Sequence, residues 1–172
     1  MPNLPEKKRS KVTNLILLTL EKSIDGLVRL EDLMSKRNHY AYGYGWDYPL
    51  KKASLAKALQ RLREGGFVDL IEDEELILRL TDKGRKKAVI AELQSPGEKW
   101  DRKWRVVIFD IPEKRRAARD LLRHNLKSWG FTSWQKSVWV SKKDCTKALR
   151  KYISSIGIEE WVLILETDNI GR

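Results

Sequence analysis

Between residues 51 and 63 the polar side chains Lys51, Lys52, Ser54, Lys57, Gln60, Arg61 and Arg63 recur so that they share one side of a helix. Hydroxyl and amide groups hydrogen-bond base edges, and Lys and Arg take guanine or phosphate, so this set suits the reading of duplex DNA. Further along, Arg115, Arg119 and Arg123 stand four apart. They form one cationic stripe on a helix, suited to holding phosphate or to pairing across a dimer. Tyr40, Tyr42, Tyr44, Trp46 and Tyr48 crowd a short stretch that follows Lys36, Arg37 and His39. Interleaved aromatic and basic groups in a loop can stack on bases or wedge a groove, with Arg37, Tyr42 and Tyr44 the candidates; they can equally pack back on a small core or dock on a neighbouring module. Asp110 closes an apolar run just before Ile111 and Pro112, where a carboxylate can cap the next helix or pair with Arg115 or Arg116.

The whole chain agrees with an anionic partner. It has 172 residues, 35 Lys and Arg against 24 Asp and Glu, and a net charge of +11. Such a balance is the electrostatic footprint of nucleic-acid binders. A single cysteine, Cys145, excludes an internal disulfide and a cysteine zinc site, and two histidines leave no metal cluster of the usual kind. His124 and Cys145 fall on helical runs with no partner pattern. The longest apolar runs are far short of the ~20 residues that span a bilayer. The charged amino terminus has no secretory core, so a cytoplasmic protein without membrane contact is expected.

Two modules are needed to position these residues. The Pro96-Gly97 break within 94–98 marks the joint, with modules expected at 10–93 and 100–172 and a linker at 94–99. Residues 1–94 carry net charge +4 and residues 95–172 net +7, and six of the seven tryptophans follow the joint. In the first module, helical spacing predicts helices over 11–22, 27–34 and 52–64, the last with Leu55, Leu59, Leu62 and Ala53 or Ala56 inward. Gly65 and Gly66 end it. Apolar runs at 67–71 and 76–80 read as a hairpin around an acidic tip, Glu72 to Glu75, and Thr81 caps a last helix over 82–93. Four carboxylates at the tip repel phosphate, so that turn is read as an exposed, solubilising one. The second module reads as strand 104–109, helix 113–129, strands 131–135 and 137–141, helix 142–155 and strand 161–165. The fold class is therefore α+β: an N-terminal winged helix-turn-helix, then a ferredoxin-like sandwich.

Local strings sharpen both halves. Leu55, Leu59, Leu62, Gly66, Phe67 and Val68, followed by Leu80-Thr81-Asp82-Lys83-Gly84-Arg85, resemble winged-helix transcription regulators. In that family the third helix enters the major groove, which here implies Lys52, Ser54, Lys57, Gln60 and Arg61 as its readers, with Lys51 beside them. In the second half, Trp104, Phe109-Asp110-Ile111-Pro112, Arg115, Arg119, Leu122, Arg123, Leu126, Gly130-Phe131 and Ser137-Val138-Trp139-Val140 resemble the central domain of PaaX-type transcription repressors. That domain is similar in fold to the small CRISPR-associated Cas-two proteins. Together the resemblances cover about residues 10–168.

The resemblance implies a homodimer formed through residues 100–172 that binds double-stranded DNA and regulates transcription, as a repressor, without enzymatic activity or cofactor. Some PaaX proteins answer an acyl-CoA through further C-terminal sequence; none is recognised here, and the effector stays unknown. Some Cas-two proteins cut nucleic acid with a metal held by an Asp at the end of the first strand, the position of Asp110. The alternative expectation is therefore a Cas-two-like protein, either a Mg²⁺-dependent endonuclease with Asp110 as catalytic and metal-binding residue or a DNA-bridging factor of CRISPR adaptation.

Overall fold

The computed structural model describes residues 6–35, 51–72, 75–95 and 100–171. Arg37, Tyr42, Tyr44 and the rest of the aromatic loop lie outside the described residues, as do positions 73 and 74 of the acidic tip. The chain divides into two units, Met1–Ala91 and Glu92–Arg172.

The first unit runs α1 (Glu6–Lys22), β1 (Leu27–Arg29), α2 (Leu30–Ser35), α3 (Lys52–Glu64), β2 (Val68–Glu72), β3 (Leu76–Leu80) and α4 (Asp82–Gln94), whose last turn counts with the second unit. Its sheet is antiparallel, in the order β1-β3-β2. The helical spacing of α1 delivers Ile16, Leu17 and Leu20 to a core shared with Leu55, Leu59 and Leu62 of α3 and Leu78 and Leu80 of β3. The small residue buried on α3 is Ala58; Ala53 and Ala56 face solvent. Residues 27–29, expected to begin a helix, form a strand instead. Leu27 pairs with Arg79, Val28 with Leu78 and Arg29 with Ile77, so β3 supplies the backbone partners that a three-residue segment lacks locally.

α3 stops at Gly65-Gly66. Gly66 adopts φ +67°, and the amides of Gly66 and Phe67 donate back to the carbonyls of Arg63 and Leu62 at 2.8 Å each. That is the paired closure a left-handed residue permits. Thr81 then caps α4: its hydroxyl accepts from the Gly84 amide at 3.0 Å and donates to the Gly66 carbonyl at 2.8 Å. Gly84 is required by proximity, since a Cβ there would lie 2.0 Å from the Phe67 carbonyl oxygen.

The second unit runs β4 (Trp104–Phe109), a 3-10 turn (Glu113–Arg115), α5 (Arg116–Ser128), β5 (Thr132–Gln135), β6 (Val138–Ser141), α6 (Thr146–Ser155) and β7 (Val162–Thr167). All neighbours in its four-stranded sheet are antiparallel, in the order β5-β6-β4-β7. The two central strands are therefore β4 and β6, and β7 is an edge. Residues 166 and 167 extend β7 in the chain's own sheet, Glu166 opposite Arg105 and Thr167 opposite Trp104.

Alternation splits the sheet into two faces. Arg105, Val107 and Phe109 are buried on one. α5 covers it, with the Arg123 guanidinium 5.7 Å from the Phe109 ring centre, and α6 joins it where Thr146 bonds Glu166. Leu122, Leu126, Leu149 and Ile153 fill the space between. The helices are locked together by Asn125, which donates to the Tyr152 hydroxyl at 2.5 Å, and by Trp129 edge-on to the Tyr152 ring. The other face carries Val106, Ile108, Leu163 and Leu165, the last two 53% and 43% exposed. α6 begins at Thr146 rather than at 142, because Lys143 and Asp144 are engaged in other contacts: Lys143 Nζ donates to the carbonyls of Glu92 at 3.1 Å and of Leu93, and Asp144 meets Arg105.

Candidate nucleic-acid interface

α3 presents the surface that its spacing implies. Leu55, Ala58, Leu59 and Leu62 face the core, while Lys51, Lys52, Lys57, Gln60, Arg61 and Arg63 are exposed and Ser54 is half-buried. Gln60 donates to the Glu64 carboxylate at 2.8 Å, so its amide is turned along the helix. Lys51, Lys52, Lys57 and Arg61 make no ion pair among the described residues. The helix starts unusually: Lys51 sits at the N-cap without a side-chain cap bond, and the first turn holds no acidic residue. Helix N-termini carry a partial positive charge that favours carboxylates, so two lysines there oppose the local field and leave it available to an anion.

Two ion pairs engage charges of the β2–β3 hairpin, one of them with β1. Arg79 donates to Asp69 across the two strands at 3.1 Å, and Arg29 of β1 meets Glu75 at 2.7 Å. Beside α3, α4 of this unit also exposes the cations Lys86 and Lys87.

In the second unit, the three stripe arginines all turn toward the chain itself. The Arg115 guanidinium lies 5.4 Å from the Trp161 ring centre. Arg119 donates to the Ile111 carbonyl at 3.3 Å and to Glu113 at 2.8 Å, and holds the Glu113 carboxyl below its ordinary range. Arg123 donates to the Lys136 carbonyl at 3.1 Å, stands over Phe109 and approaches Asp120 at 3.6 Å. The stripe clasps both ends of the β4-to-α5 connection and the β5–β6 turn.

Asp110 is exposed just past β4. Its amide donates to the Trp161 carbonyl at 3.0 Å, and its carboxylate has no partner among the described residues. No three His, Cys, Asp or Glu side chains converge among the described residues, so one chain does not by itself assemble a ligand set for Mg²⁺ around Asp110. His124 is exposed on α5, and burial pushes the Cys145 thiol up to about 11.

The sequence reading missed Arg105, which is 2% exposed. It donates to both oxygens of Asp101 at 2.6 and 2.7 Å, meets Asp144 at 2.8 Å and lies 3.7 Å from Glu166. The guanidinium draws the Asp101 carboxyl down to about 2. One charge inside an otherwise apolar strand run was the signal.

The residues from Trp104 to Trp139 thus form one strand-end, helix and turn assembly, and the comparison with known families falls on this part of the chain. Residues 97–172 match the PaaX protein central Cas2-like domain. The match supports the PaaX family at the level of this domain. The PaaX-like segment contains β4 to β7 entire, with Arg105, Asp110 and the clasp arginines. No curated protein matches the chain. No helix among the described residues is long and apolar enough to cross a membrane.

Proposed function

We propose that this chain is a PaaX-type transcriptional regulator, a homodimer that reads double-stranded DNA through α3. The observation that carries the reading is the solvent face of α3: Lys51, Lys52, Lys57 and Arg61 are exposed and unpaired among the described residues, at the start of a helix with no acid in its first turn. Helices α1 to α3 with the β2–β3 hairpin fit a winged helix whose third helix enters the major groove. The strand-helix-strand-strand-helix-strand order, with the first and third strands central, fits a ferredoxin-like sandwich. Its uncovered face, with Leu163 and Leu165, suits pairing of two copies, which would set two α3 helices on a palindromic site.

The test is footprinting and salt-dependent affinity on the protein's own genomic region, comparing the natural chain with Lys57→Ala plus Arg61→Ala. Both positions are exposed, so the fold, checked by circular dichroism, is retained. The salt slope should fall by about 1 for each lost phosphate contact, with affinity down at least ~10-fold. An unchanged footprint and slope would show that α3 is not the reader.

The exposed, unpartnered Asp110 favours a second reading, a Mg²⁺-dependent nuclease in which two copies each contribute this carboxylate. Mg²⁺-dependent cutting of the footprinted DNA, abolished by Asp110→Ala, would replace the regulator with that reading.

A further inference from the structure

The net charge of +7 on residues 95–172 is not spread evenly. Residues 121–158 hold eight Lys and Arg and one acid, while the rest of that half holds nine of each. The excess therefore belongs to the second half of α5, the β5–β6 hairpin and α6. The one acid, Asp144, is taken by Arg105 at 2.8 Å. Arg123, Lys142 and Lys143 are engaged within the chain, by the Lys136 carbonyl, by the Trp100 and Trp104 rings and by the carbonyls of Glu92 and Leu93.

The other helix cations face water. α6 buries Ala148, Leu149, Tyr152 and Ile153, so Lys147, Arg150, Lys151 and Ser154 share its exposed side. α6 has no acidic residue to neutralise them, Lys147 in its first turn opposes the helix field, and Lys147 and Lys151 repel one turn apart. α5 buries Leu122 and Leu126 and exposes Lys127 and Ser128. The contacts of Asn125 and Trp129 with Tyr152 set the two helices side by side, on the sheet face opposite Leu163 and Leu165. Lys127, Lys147 and Arg150 make no ion pair among the described residues.

The surface discriminates among polyanions. An anionic membrane takes up the apolar side of a surface helix, and the apolar side of α6 is buried in the core. Single-stranded nucleic acid is held by aromatic platforms, and the aromatic residues of this helix layer, Trp129 and Tyr152, are buried. An acidic protein would gain only exposed ion pairs, each weak. Duplex DNA carries one charge per ~1.7 Å of its axis and releases a condensed counterion for each cation that meets a phosphate.

We infer that the second unit carries its own nucleic-acid surface, the exposed sides of α5 and α6, which grips the phosphate backbone of duplex DNA without reading its sequence. This surface goes beyond the reading by α3 and does not depend on it.

The experiment measures binding of the full chain to a labelled random-sequence duplex by fluorescence anisotropy, from ~50 to ~200 mM salt. Every protein carries Lys57→Ala and Arg61→Ala, which silence α3. On that background Lys147→Gln, Arg150→Gln and Lys151→Gln together should lower affinity at least ~10-fold and the salt slope by about 2–3, one step per lost phosphate contact. Lys127→Gln with Lys147→Gln, one from each helix, should lower the slope by about 1–2 and stands if the triple variant unfolds. Arg102→Gln, Lys103→Gln and Lys114→Gln together remove the same charge from the same unit outside the basic block, and should weaken binding by less than about threefold. The proposal is overturned if the α5 and α6 variants match this control, or if the single strand of the same sequence binds more tightly than the duplex. Competition by poly-glutamate as strong as by unlabelled duplex also overturns it, and assigns the surface to an acidic protein. The reading by α3 is judged on the footprint at the protein's own genomic region, so either result leaves the other standing.

Discussion

Replacing Arg105 by Met tests the central electrostatic element of the second unit. The substitution keeps an unbranched side chain of similar length and removes the charge. It removes two short bonds to Asp101 and one to Asp144. A charge-assisted hydrogen bond contributes about 1.5–3 kcal/mol, and orphaning a buried charge costs more. Here, however, the carboxylates left behind are not buried: Asp101 and Asp144 are 37% and 69% exposed and return to water. Discounting for that solvation leaves a net loss of about 2–3 kcal/mol. For a unit of this size that is a fall of roughly 10–20 °C in Tm. Denaturation followed by tryptophan fluorescence reads this unit selectively, because six of the seven tryptophans lie in it. The pH dependence supplies an internal control. The Asp101 carboxyl is held at about 2 in the folded chain, below its ordinary value, so it contributes stability above about pH 4 that is lost as pH falls toward 2. The natural chain should lose stability across that window more steeply than Arg105→Met. A variant within about 0.5 kcal/mol of the natural chain, or one with the same acid slope, would refute the argument.

One further substitution and one reagent probe other elements. Gly84→Ala should destabilise the first unit by more than about 2 kcal/mol, measured by thermal melting of the helical signal, because its Cβ would meet the Phe67 carbonyl oxygen at 2.0 Å; an unchanged melt would mean that α4 can shift freely. Cys145, buried and with its thiol raised to about 11, should react with an aromatic disulfide reagent at about pH 8 only when denaturant is added, and prompt labelling of the folded chain would contradict its burial.

Much of the fold was legible because it rests on local pattern. Leu55, Leu59 and Leu62 have helical spacing and lie on the buried side of α3, and β3 and β4 coincide with their apolar runs, Leu76–Leu80 and Trp104–Phe109. What escaped depends on distant partners. β1 is a strand because β3 lies beside it, and a short apolar run carries no sign of that. The late start of α6 follows from Lys143 and Asp144 reaching residues 92 and 105. The spacing of Arg115, Arg119 and Arg123 was readable, but their acceptors, the carbonyls of Ile111 and Lys136 and the rings of Phe109 and Trp161, are brought near only by the folded sheet. Likewise Arg105 draws its carboxylates from positions 101, 144 and 166, which no spacing rule connects.

The register of β4 against β7 has a mechanical consequence. Trp104 lies opposite Thr167, so the chain enters β4 and leaves β7 side by side. A force drawing those two points apart would peel the strands one rung at a time instead of shearing all rungs at once. Arg105 and Glu166 form the second rung, and Asp101 and Asp144 are tied to the same guanidinium. The ion-pair cluster therefore sits where such a tear would begin, as a rivet at the open end of a zipper. With that rivet closed, segments joined at the two neighbouring points can tug on the chain while the sheet beyond, from Val106 to Phe109, bears none of the load.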